Sequence, residues 1–215
     1  MNSSSAASMA RSALDGKRLL SHPFYQRWEK GEVGVGELSA YAAQYRHFER
    51  FLPEFLGALA ESLPPGGARE MVAANLADEL GDPIPHVELL ERFAGAVGAP
   101  DAAPSPAMNA LIALYKESLA EGAAQGLAAF AAYECQSAEV AATKAEGLRN
   151  NYGLDEHGVS FWAHHAKADV THAEWALEAL ASTGVAPELL APSVRRAAQA
   201  WWAFLDEREQ ARPAA

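Results

Sequence analysis

With 215 residues, half of them hydrophobic, the chain is long enough to bury a sizeable core, and a single helical domain over 1–215 is expected, with 1–10 and 210–215 as loose tails. A formal net charge of −11 with scattered Lys and Arg excludes nucleic acid as an expected partner, and the lack of any apolar run of about 18 residues excludes a membrane span. A single cysteine, Cys135, rules out an internal disulfide, and MNSSSAASMARSALDG has no continuous apolar stretch before a cleavage site, so a cytoplasmic location with a few disordered N-terminal residues is expected.

Nearly every segment repeats its apolar residues at period 3.6 and none alternates β-branched residues, so the chain reads as all-α. Pro23 opens a short helix through Trp28 that Gly31 stops. A long helix is predicted from about Gly36 to Ser62, with Leu38, Tyr41, Tyr45, Leu52, Phe55 and Leu59 as its buried stripe and Pro53 as a kink. PPGG at 64–67 ends it, and another helix runs from about Ala68 to Leu80. The GDPIP break at 81–85 interrupts the pattern before it restarts through Val87, Leu90, Phe93 and Val97. GAPDAAPSP at 98–106 is a loop, and helices follow at about 107–120, 123–150, 156–182 and 187–209. About seven helices joined by short connections imply a bundle whose interior can carry a site built by facing helices.

Within that frame the most informative segment is KADVTHAEWALEAL with the residues just before it. At about 100° per residue, Asp169 and His172 lie roughly 40° and −20° from His165, so the three project from one helix stripe, whereas His164 points about 100° away. Imidazole and carboxylate together suit iron or manganese, although such a triplet taken alone is more often a solvated face. Glu134 breaks the apolar spacing of Leu127, Ala131, Ala138 and Ala141, which points its carboxylate into the bundle toward either a metal or a basic partner. Glu79 and His86 flank the break: Pro83 removes the donor that would bond the Glu79 carbonyl, so Glu79 should end one helix and His86 begin the next. Their side chains can still converge, or the break is simply a tight surface connection. Three carboxylates and three imidazoles would leave two divalent ions with a residual charge of about +1, suited to binding oxygen.

At these residues the chain resembles the haem-oxygenase-like dimetal oxidases, whose pattern is E-x6-H, a lone Glu, then H-x3-D-x2-H. HPFYQRWEKGEV and YECQ, followed by a lysine, GL and YG, are similar to the para-aminobenzoate synthase group of that family, and the likeness covers about residues 20–180. The resemblance implies a haem-oxygenase-like bundle of the TenA/PqqC type. It implies metal ligands at Glu79, His86, Glu134, His165, Asp169 and His172, holding an Fe/Fe or Mn/Fe pair that uses O2 and an external reductant. A homodimer is expected. It further implies that Tyr25 is sacrificed as the ring of para-aminobenzoate for folate synthesis and that Lys144 supplies nitrogen. Tyr41 and Tyr45, on the long helix, are candidates for relaying a radical or else core-packing residues. The chain departs from the group at Ala138, where a proline is usual; on a straight helix Lys144 then lies about 15 Å along and −80° around from Glu134. The rival expectations are a related oxidase with a diffusible substrate, a metal-free enzyme using Cys135, and a helical interaction module with a vestigial site.

Overall fold

A computed structural model of the chain describes residues 2–81 and 84–212, among which nine α-helices and one short 3-10 turn are found and no strand. The helices are α1 Ser3–Ala13, α2 Pro23–Glu29, α3 Val35–Ser62, α4 Gly67–Leu80, α5 His86–Ala96, α6 Pro106–Glu121, α7 Ala123–Tyr152, α8 Glu156–Ser182 and α9 Pro187–Gln210. The boundaries follow local chemistry. The His22 side chain accepts from the Phe24 amide ahead of Pro23, Ser105 caps α6 through the Met108 amide, and Asp155 caps α8 through Gly158. Pro53 sits inside α3, which stays helical through it.

The count exceeds the expected seven chiefly because the segment expected as a loose N-terminal tail is a helix. Asn2 caps α1 by accepting from the Ser5 amide, and Ala6 and Ala10 are 0 % and 1 % exposed where α1 packs on α8 and α9. Small alanines let the helix axes approach closely, so a segment poor in large apolar residues still buries a full face.

Helix α8 lies among α7, α5, α4 and α1, so the stripe bearing His165, Asp169 and His172 faces the interior from the middle of the bundle. Helix α3 packs against α4, α5 and α6 and sends a row of aromatic residues into the same core. Helix α2 is drawn close to α7 at Gly147: a Cβ there would stand 3.0 Å from Trp28 Cδ1 and 3.2 Å from the Trp28 carbonyl oxygen. That contact seats Tyr25 inside the bundle, 2 % exposed.

Helix α4 ends at Leu80 and α5 begins at His86, as the GDPIP spacing predicts, while Pro83 itself lies outside the described residues. Gly81 turns the chain at φ 63°, and a Cβ there would meet the Ile84 carbonyl oxygen at 2.1 Å. Gly81→Ala is therefore expected to cost about 1–3 kcal/mol, which for a chain this size is about 2–4 °C of Tm per kcal/mol. Because Glu79 and His86 flank the turn, it should also weaken metal binding; thermal unfolding and competition with a chelator measure the two effects.

Candidate metal centre

Four helices deliver the six sequence-predicted ligands to one buried region. Glu79 ends α4, His86 starts α5, Glu134 lies in the middle of α7, and His165, Asp169 and His172 line α8; all six are buried. Glu79 Oε2 accepts from His86 Nδ1 at 2.9 Å, so the residues on either side of the broken helix do converge. His165 Nδ1 donates to Asp169 Oδ1 at 2.9 Å.

Two sets of ligand atoms form, each gathered within 4.8 Å: Glu49, Glu79, His86 and His165 in one, and Glu134, Asp169 and His172 in the other. Glu49, on α3 and 3 % exposed, was not singled out from the sequence. It continues the Tyr41–Tyr45 stripe by one more turn, so the reasoning that finds Glu134, a carboxylate breaking an apolar face, would also have found it. With Glu49 ionised, four carboxylates balance two divalent ions.

The donor set fits metal on this structure's own terms. Among the described residues, Glu134 Oε2, His165 Nε2 and His172 Nδ1 are buried atoms with no hydrogen-bond partner, a costly state that a bound cation relieves. His172 Nδ1 stands 3.9 Å from Glu134 Oε2, roughly twice a metal–imidazole bond of about 2.0–2.1 Å. The opposite ring nitrogen, Nε2, donates to Asp78 Oδ2 at 2.8 Å, which fixes the tautomer and leaves Nδ1 toward the interior. Asp78 is a second functional residue that sequence reasoning missed.

Electrostatics of the metal-free site show how closely the groups are matched. Burial alone would depress His165 and His172, but Asp169, hydrogen-bonded to His165 and 3.3 Å from His172 Nδ1, outweighs it together with Glu79 and the other carboxylates and carries them to about 10 and about 9. Asp169 answers in kind: burial would raise it, yet the two imidazolium neighbours hold it well below the usual carboxylate range. Burial pushes Glu49 up to about 8, and Glu79 and Asp169 add to the shift. Both imidazoles thus carry protons at neutral pH in the metal-free protein, and ions that bind them must displace those protons. Metal affinity is expected to rise with pH between about pH 6 and pH 9, with proton release on loading, measurable by a pH indicator during titration. Affinity independent of pH over that window would contradict the ligand set.

A second cluster adjoins this one. Tyr25 and Tyr41 share a hydrogen bond of 2.9 Å between their hydroxyls, and Lys144 Nζ donates to Tyr41 Oη at 2.7 Å. Lys144 is 1 % exposed, and its nitrogen lies 4.5 Å from the Tyr25 ring centroid and 3.8 Å from the Trp162 ring. Helix α7 runs unbroken through Ala138, so Lys144 points away from Glu134, the candidate ligand on its own helix, and into the aromatic cluster. Tyr45 stacks on Tyr41 with centroids 5.5 Å apart, and its hydroxyl bonds that of Tyr133, the residue before Glu134, at 2.6 Å. The phenols therefore form a connected row between the ligand region and Tyr25. Cys135 is a poor nucleophile: burial, helped by the charge of Glu134, pushes its thiol up to about 12, which leaves it protonated at neutral pH.

Comparison with known proteins agrees with this geometry. The chain matches the family model described as iron-containing redox enzyme over residues 39–206. It is 34 % identical to a 4-aminobenzoate synthase of Nitrosomonas europaea, covering 91 % of this chain and 87 % of the relative, and 32 % identical to that of Chlamydia muridarum, covering 90 % and 85 %. Among solved structures, a TenA homologue from Pseudomonas syringae superposes with a TM-score of 0.81 at 16 % identity, covering 96 % of this chain and 92 % of the other. A CADD-like protein from Nostoc punctiforme gives 0.78 at 17 %, covering 97 % of each. These structural likenesses establish the fold. Together with a metal-competent donor set at the middle of the bundle and a family match across most of its length, they show that the chain belongs to the haem-oxygenase-like family of iron-containing redox enzymes.

Proposed function

We propose that the protein is an oxygen-dependent para-aminobenzoate synthase that consumes its own Tyr25 as the ring source. The centre would hold two ions, Fe/Fe or Mn/Fe, on Glu79, His86, Glu134, His165, Asp169 and His172, with Glu49 as a further carboxylate and an external reductant supplying electrons. Bound there, the metal pair supplies the binding and reduction of O2 and so the oxidising power for the reaction. The observation that carries the reading is the placement of a buried amine against a buried phenol: Lys144 Nζ is 4.5 Å from the Tyr25 ring and one hydroxyl away from its oxygen.

Each side chain in that row has a task that its surroundings favour. Burial raises the Tyr25 and Tyr41 hydroxyls above the ordinary phenol range, so neither is a phenolate at neutral pH, and removing an electron from either requires moving its proton as well. Lys144 can take that proton. Desolvation holds its pKa well below the ordinary lysine value, which favours the uncharged form of the amine in contact with Tyr41. The same amine, its nitrogen 4.5 Å from the Tyr25 ring centroid, is the source proposed for the amino group. Tyr133, Tyr45 and Tyr41 connect the ligand region to Tyr25 through hydroxyl bonds and one stacked pair, a path for oxidation to travel.

The ligand assignment has its own test. About two ions per chain are expected after expression in iron-replete medium, and His165→Ala, Asp169→Ala and His172→Ala should each lose at least one. Full occupancy by elemental analysis in all three variants would remove the basis for the centre.

A further inference from the structure

We propose that Asp78, His86 and His164 form an outer cation site through which first-row divalent ions are admitted to the buried centre. The proposal rests on the reading of that centre as a metal site and adds the route by which it is filled. All seven side chains of the two inner sets are buried, so a hydrated cation cannot reach them without first losing water, which is costly unless ligands replace the water in steps. Asp78, His86 and His164 offer such a step. One ligand atom from each lies within 4.8 Å of the others, and His86 belongs to both this trio and the inner set with Glu49, Glu79 and His165.

Exposure falls along the trio in the direction an ion would travel. His164 is exposed, the Asp78 side chain is 41 % exposed, and His86 is buried. The rings of His164 and His86 meet edge to face with centroids 4.5 Å apart, so a ligand held by the first is already beside the second. Asp78 and His164 line a groove of about 670 Å³ together with Glu156, Ser160, Lys167 and His172, and His86 lies behind them on the side of the inner set. Two imidazoles and a carboxylate select the same borderline ions as the inner sets. Only three protein ligands in an open groove leave positions for water, so the ion is held loosely enough to move on. Asp78 is also the acceptor for His172 Nε2, which ties the outer trio to the second inner set.

The test uses Co2+ as the probe, added to chelator-stripped wild type and His164→Ala. His164 is exposed and its substitution leaves the core intact. Loading is followed by stopped-flow absorbance, and bound metal is counted after rapid desalting. Both proteins are expected to reach the same final two ions per chain, with the variant slowed roughly tenfold or more. Wild type with a filled centre should take up one further, weakly held Co2+ that His164→Ala lacks, and His164→Asp, which restores a ligand, should regain most of the rate. Equal loading rates in wild type and His164→Ala would overturn the proposal. So would fewer than two tightly held ions in desalted His164→Ala, because that would place His164 inside the centre. A wild type that takes up no Co2+ at all would instead overturn the metal reading on which the proposal stands.

Discussion

Tyr25→Phe is expected to keep its fold and its metal and to form no para-aminobenzoate. Phenylalanine preserves the packing of Tyr25 against Phe24, Trp28 and Tyr41, and Tyr25 belongs to neither ligand set. The lost groups are one hydroxyl and its 2.9 Å hydrogen bond to Tyr41, a cost of about 0.5–1.5 kcal/mol. Activity should suffer far more than stability, because the phenol would be the substrate. In the wild type, metal-loaded protein given reductant and O2 without any aromatic precursor should release no more than one product per chain, and ring-labelled tyrosine incorporated during expression should appear in it. Unlabelled product, or many turnovers on an added substrate by a fully active Tyr25→Phe, would reject self-sacrifice. That outcome would favour an oxidase whose diffusible substrate enters by the groove beside His172.

The parts of this design that one helix determines were legible in the sequence. Helix placement followed from period and from Pro and Gly, and the inward stripe of His165, Asp169 and His172 followed from spacing alone. What escaped was what only packing decides. Helix α1 hid because its buried face is made of Ala6 and Ala10, whose small apolar area gives no strong periodic signal. His164 was set aside as off the stripe, which is correct for α8 and silent about α5, whose first residue brings His86 against it. Asp78 is invisible for the same reason: its partner, His172, lies on another helix 94 residues away. Glu49 was accessible and overlooked, since Tyr41, Tyr45 and Glu49 share one face at successive turns. The straight helix through Ala138, which separates Lys144 from Glu134, carries Lys144 to Tyr25 and Tyr41 instead.

Lys144→Met is expected to make the protein more stable while abolishing product formation. Lys144 is buried and, among the described residues, has no carboxylate partner and one polar side-chain contact, Tyr41. The aromatic rings around Nζ return some of the lost hydration, yet desolvation of an ammonium costs several kcal/mol and the balance at Lys144 lies against the charge. Folding therefore favours the uncharged amine. The folded chain holds that proton less tightly than the unfolded chain, whose ordinary value is 10.5, so this group opposes folding at neutral pH and ceases to do so as pH approaches 10.5. Methionine fills a similar volume without the penalty, and a gain of about 1–4 kcal/mol is expected, or about 2–4 °C in Tm per kcal/mol. The difference in Tm between variant and wild type should be largest near pH 7 and shrink toward about pH 9.5, a trend that a simple packing gain would not produce. Lys144→Arg, whose guanidinium keeps its charge, should instead lose stability. A Lys144→Met protein that is no more stable at pH 7 and still releases one product per chain would show that the amine is neither strained in the core nor needed beside Tyr25.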